Sequence, residues 1–187
     1  LILKGLSLVI SGTKPIYFND TPSFPMISTG SLIGSLIPGL PVPNGVLILF
    51  ILALVISWVL NRTTLGRYCF ALGSNEEAVR LSGVNADGWK IAIYALAGGI
   101  CGIAGLLIAS RLNSAQPALG QGYELDAIAA VVIGGTLLTG GYGFVLGSML
   151  GVLVLGAIQT MITFEGTLSS WWTRIFIGAL LLVFMVL

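Results

Sequence analysis

Apolar runs long enough to cross lipid alternate along this chain with three polar loops. A span needs about 20 apolar residues, fewer where protein buries part of it. Val46–Leu60, Ile91–Ala109, Phe144–Ile162 and Trp171–Leu187 have that character. Trp58 lies near one end of the first, and Trp171 and Trp172 open the last, as aromatic anchors do at a membrane surface. Leu1–Gly12 is shorter and carries Lys4, so it is expected to be the outer end of a truncated span. Ala127–Leu138 is apolar, but at about 1.5 Å per residue it reaches only half-way across a bilayer. It is either a short crossing or a re-entrant segment. The expected fold is all-α: a polytopic transmembrane helical bundle of about six spans, in a fragment that lacks both ends.

Composition makes lipid the solvent. The chain is 56% apolar and 8% charged, with a mean hydropathy of +1.03, where water-soluble domains carry about 25% charged residues. A net charge of +1 gives no footing for nucleic acid. Histidine is absent, which removes the commonest general base and metal ligand. Cys69 and Cys101 lie apart with no CxxC spacing and read as small packing residues. No phosphate-binding GxxxxGK loop and no GxSxG nucleophile elbow occurs. The chain is therefore not expected to be an enzyme, nor to hold a metal or cofactor.

Charge orients the loops. Asn61–Lys90 holds four of the eight basic residues, Arg62, Arg67, Arg80 and Lys90, and positive charge marks the cytoplasmic side. Thr13–Asn44 has six of the seven prolines and no basic residue after Lys14, so it belongs outside. Alternation then puts Arg111–Glu124 outside. If Ala127–Leu138 crosses fully, Thr139–Gly143 is inside and Thr163–Ser170 outside. Gly98 and Gly102, and Gly143, Gly147 and Gly151, recur at every fourth residue, a spacing that lets helix backbones approach closely in lipid.

The basic loop contains a self-sufficient short helix, Asn75–Gly83. Asn75 is a good N-cap. Glu76 and Glu77 occupy the first turn, where the helix dipole favours negative charge. Ala78, Arg80, Leu81 and Ser82 continue it, and Gly83 suits the left-handed position that closes a helix. A helix this short is marginal alone in water, so it must dock against something: a neighbouring span, or a cytoplasmic partner.

The stretches Arg62-Thr63-Thr64-Leu65-Gly66-Arg67-Tyr68, Ala71–Ala78 and Leu81-Ser82-Gly83-Val84-Asn85 resemble the coupling loop of ribose-type ATP-binding-cassette permeases. Ala109–Pro117 and Gly122–Thr136 match the same family closely, and Phe164–Thr173 is similar to its galactofuranose branch. The resemblance runs over nearly the whole chain, most weakly over Ile16–Asn44. It implies a single permease domain over residues 1–187 of a roughly ten-span bundle, with a coupling loop at 61–90 and a periplasmic segment at 13–44. It also implies a bacterial inner-membrane location and a second permease copy or paralogue. A cytoplasmic ATPase subunit and a periplasmic sugar-binding protein would complete the assembly. The family's coupling helix falls on Asn75–Gly83, with Glu77 standing where several relatives carry alanine.

A polar path is expected where the outer loop meets the short apolar segment. Asn113, Gln116, Tyr123, Glu124 and Asp126 cluster there, and amides and carboxylates hydrogen-bond sugar hydroxyls. Glu124 and Asp126 are equally suited to the structural task of charging a helix N-terminus, and Arg111 is placed to pair with Glu124. A short gate helix is expected around Ser28–Ile37. Two rivals stand against the importer. Thr139-Gly140-Gly141-Tyr142-Gly143 resembles a potassium filter loop, and Ala127–Gly141 could be the broken helix of an ion-coupled secondary carrier. The first leaves Asn75–Gly83 unexplained; the second lacks ionisable residues within the clear spans.

Overall fold

Lipid offers a peptide group no hydrogen bond, so each crossing must satisfy its own backbone. The computed structural model describes residues 2–18, 23–31, 42–117, 120–165 and 170–186, and helix dominates them. In chain order these are α1 (Ile2–Ser11), α2 (Ser23–Thr29), α3 (Asn44–Arg62), α4 (Thr64–Ser74), α5 (Glu76–Leu81), α6 (Ala86–Leu112), α7 (Tyr123–Ile133), α8 (Val145–Glu165) and α9 (Ser170–Val186). Three are long and apolar enough to cross a membrane: α3, α6 and the Val145–Phe164 part of α8. Of the other expected crossings, α9 has 17 residues, α1 10 and α7 11. The all-α expectation holds, with one small exception. Ile16–Tyr17 (β1) pairs antiparallel with Ser114–Ala115 (β2).

The chain forms two compact units, residues 1–54 with 92–119, and residues 55–91 with 120–187. In the first, Ser110 near the end of α6 is buried and joins α2 at both polar positions of its hydroxyl. That hydroxyl donates to the Phe24 carbonyl at 2.7 Å and accepts from the Ser28 amide at 3.2 Å. The β1–β2 pairing lies in the same unit and brings together the two loops that charge bias assigns to one side. Helix occurs at Ser23–Thr29 and overlaps the start of the gate helix expected around Ser28–Ile37; residues 32–37 of that expectation lie outside the described residues.

The second unit is built on backbone contact between α7 and α8. A Cβ placed on Gly151 would meet the Ala130 carbonyl, and one on Gly147 would meet the Gly134 carbonyl. The two pairs run in opposite chain directions, so the helices are antiparallel. Ala129, Ala130, Leu155 and Ile177 form the buried core, flanked by Ile133 and Leu181. The glycine spacing on α8 is thus used for packing within the chain. The similar row on α6 is not: Cβ atoms on Gly98 or Gly102 would meet nothing within 4 Å.

Gly151→Val should therefore force α7 and α8 apart, and overpacking of this kind costs about 1–3 kcal/mol. Gly156 on the same helix has open space around it. Gly156→Ala is expected to leave the midpoint of thermal unfolding in detergent unchanged or slightly raised, while Gly151→Val lowers it by several degrees.

Candidate functional site

The loop between α3 and α6 folds as a three-part corner. Asn75 breaks the helical path with an extended backbone (φ −156°, ψ 101°), and its side chain accepts from the Ala78 amide at 3.1 Å. That bond satisfies one of the four amides a helix start leaves unpaired. Glu76 and Glu77 occupy the first turn. At the other end the Ser82 amide returns to the Ala78 carbonyl and the Gly83 amide to the Arg80 carbonyl. Gly83 has φ +78°, a conformation costly for any residue with a Cβ. Asn85 then caps α6 by accepting from the Gly88 amide at 3.1 Å.

Capping fixes which face of α5 is free. Val79 is buried and turned inward, at 8% exposure. Glu77, Ala78, Arg80, Leu81 and Ser82 are exposed, and Leu81 is 83% exposed. Leu81 thus holds a large apolar side chain outward on a capped turn, one helical turn from the Glu77 carboxylate.

Four charges brace the corner. Lys90 Nζ lies 2.5 Å from Glu76 Oε2, Arg80 Nε 3.3 Å from Glu76 Oε1, and Arg80 Nη2 2.6 Å from Asp87 Oδ1. The hydrogen bond from the Lys90 ammonium, helped by the positive charges of Lys90 and Arg80, holds the Glu76 carboxyl below its ordinary pKa. Tyr68 on α4 stacks obliquely on Trp89 of α6, ring centroids 4.7 Å apart. Asp87 was not singled out from the sequence and Lys90 only as one of the loop's basic residues, although Glu-x3-Arg on one helix and Asp-x2-Lys on the next put opposite charges on matching faces.

The other expected site divides. Tyr123 and Asp126 line a cavity of about 420 Å³ with Gln121, Leu125, Gln159, Thr163 and Ile177. Glu124 is an exposed residue of the first turn of α7. Asn113 and Gln116 belong to the first unit, as Arg111 does, whereas Glu124 belongs to the second. Asn113 closes α6 with φ +50°, and its carbonyl accepts from the Phe18 amide. Gln159 and Thr163 were missed in the sequence. Their signal was an amide and a hydroxyl four residues apart, on one face of the last turns of a span that is otherwise largely apolar.

The filter-like Thr139–Gly143 segment folds back on itself. The Leu137 amide donates to the Tyr142 carbonyl and the Gly140 amide to the Leu137 carbonyl. Gly140 and Gly141 have φ +88° and +80°, and this turn packs on the end of α4. A Cβ on Gly73 would lie 2.8 Å from the Gly141 nitrogen. The Tyr142 carbonyl is thus engaged in closing the turn, whereas a filter needs its carbonyls turned to the ion.

Against this geometry, the sequence profile of the family described as branched-chain amino acid transport system / permease component matches residues 2–185. The chain belongs to that family. It is similar to the ribose import permease protein of Escherichia coli strain K12, 41% identical over 172 residues that cover 90% of this chain and 51% of that protein. The ribose import permease protein of Bacillus subtilis strain 168 is 41% identical, over 97% of this chain and 54% of that one. An inner membrane ABC transporter permease protein of E. coli K12 is 40% identical, over 99% and 55%. The chain thus spans about half the length of these relatives. No solved structure matches it.

Replacing the N-cap, Asn75→Ala, should destabilise α5 by about 1 kcal/mol, measurable as roughly fivefold faster hydrogen exchange at the Ala78 amide. Acid should act on the same turn. Because the Glu76 pKa is lowered in the folded corner, its stabilising effect is complete above the ordinary glutamate pKa of about 4.3 and is lost as pH falls through the lowered value. Exchange at the α5 amides, corrected for the intrinsic pH effect, should be flat from pH 7 to about 5 and rise below about 4.

Proposed function

We propose that this chain forms part of the membrane-spanning subunit of a bacterial inner-membrane importer, carrying a monosaccharide by alternating access under the drive of a separate ATPase. The observation that carries this reading is the match over residues 2–185 to a permease family, joined to the relatives' names. Those include ribose, fructose and xylose permeases. The corner at Asn75–Gly83 supports it physically, because it offers a rigid outward face where a pushing partner would need one.

In this reading α5 is the contact with the ATPase, and Leu81 is its apolar anchor. Burying its side chain against a partner would remove a nearly fully exposed apolar surface from water, worth about 1.5–3 kcal/mol. Glu77, Ala78 and Ser82 form the rim. A second permease copy or paralogue completes the membrane pathway, and a periplasmic binding protein delivers the sugar. The chain itself then needs only weak contact with its cargo. Tyr123, Asp126, Gln159 and Thr163 supply such contacts around a cavity, with hydroxyl, amide and carboxylate groups suited to sugar hydroxyls. Two conformations that differ in their contact with the ATPase are enough for coupling, since a ligand shifts a population only by its differential affinity.

The test is co-purification and uptake with the full-length subunit, its neighbouring ATPase and its binding protein in liposomes, using labelled ribose, xylose and fructose. Wild type is expected to retain the ATPase and accumulate at least one sugar only with ATP. Leu81→Glu should cut ATPase retention at least tenfold. Gln159→Leu should retain the ATPase but slow uptake severalfold. ATP-independent uptake, or topology mapping that puts Leu81 outside the cell, would overturn the reading.

A further inference from the structure

We infer that Glu76, Arg80, Asp87 and Lys90 form a clamp through which movement of α5 is passed to α6, an inference that rests on α5 being the ATPase contact. Glu76 and Arg80 are four residues apart on α5, hence on one face of it; Asp87 and Lys90 are three apart at the foot of α6 and likewise share a face. The signs alternate around the set. Lys90 meets Glu76, Glu76 meets Arg80, and Arg80 meets Asp87, at 2.5, 3.3 and 2.6 Å. Two members on each helix make the clamp resist both sliding and twisting, which a single pair does not.

The corner gives α5 no equally strong polar tie elsewhere. Toward α4 it continues through Asn75, a one-residue extended break, and the backbone of α5 also packs against that helix, a contact without an ion pair. The end of α4 itself is pinned by the close approach of Gly73 to Gly140 and Gly141. Among the described residues, the three ion pairs all lie at this corner. Toward α6, the link is four residues long and closed by the left-handed Gly83 and the Asn85 cap. Val79 and Ala86, one on each helix, are buried beneath the charges. Helix α6 then runs without interruption for 27 residues, about 40 Å at 1.5 Å per residue. A displacement at its foot is carried to its far end as by a lever. Each pair is partly exposed and weak alone, but members that share partners lose less side-chain freedom per contact.

Leu112 at the far end of α6 is exposed, so a cysteine there reports the motion without any sugar. The experiment uses the full-length subunit carrying Leu112→Cys as its sole cysteine, assembled with its ATPase in liposomes and labelled with N-ethylmaleimide with and without ATP. Wild type should show an ATP-dependent change in labelling rate. Asp87→Asn with Lys90→Gln should keep the ATPase bound and hydrolysing while shrinking that change at least threefold; Lys90→Arg should behave as wild type. Raising salt from about 0.05 to 0.5 M, which shortens the screening length severalfold, should diminish the wild-type change and leave the double variant's unaltered. An undiminished change in the double variant, or a wild-type change indifferent to salt, overturns the clamp even with the ATPase in place. A wild type that binds no ATPase overturns the underlying reading, and the clamp with it.

Discussion

A peptide group in hydrocarbon has no partner but another peptide group, and the architecture of this chain follows from that. Helices α3 and α6 answer it with unbroken ladders of 19 and 27 residues. Where the chain must turn, it turns against its own backbone. The Thr136–Gly143 stretch closes on Leu137 and Tyr142 and rests against Gly73, and the loops around β1 and β2 pair with each other. Irregular backbone is tolerated at such places because other protein groups take the place of water.

Much of this was legible in the sequence, because the apolar runs and the caps are local signals. The four clear spans appear as helices within a few residues of their expected limits, and Asn75, Glu76 and Gly83 take the cap, first-turn and closing positions their chemistry favours. What was not legible depends on partners distant in the chain. Glycines at fourth-residue spacing look alike at Gly98–Gly102 and Gly147–Gly151, yet only the second row meets a neighbouring backbone. The expected substrate path gathered Asn113, Gln116, Tyr123, Glu124 and Asp126 because they are close in sequence. Tyr123 and Asp126 instead share a cavity with Gln159 and Thr163, which stand more than thirty positions away. Proximity along a chain is a poor guide once a helix has intervened.

The two candidate regions of the second unit are made by different means. The corner at α5 is shaped by hydrogen-bonding caps and charges in water, where geometry must be enforced by several weak contacts at once. The cavity beside α7 lies next to a contact made by the absence of side chains. Glycine and alanine on α7 and α8 let two helices touch, and α9 contributes Ile177 and Leu181 to close the contact.

The brevity of α7 has a consequence for its neighbour. Eleven residues make a rod of about 16 Å, and the non-helical residues before it, Gln121 and Gly122, stand beside the final turns of α8 rather than beyond them. The backbone there satisfies itself, the Gly120 carbonyl accepting from the Tyr123 amide and the Gly122 carbonyl from the Leu125 and Asp126 amides. The shortness of α7 therefore leaves the polar pair Gln159 and Thr163 facing a loop rather than the flank of another helix.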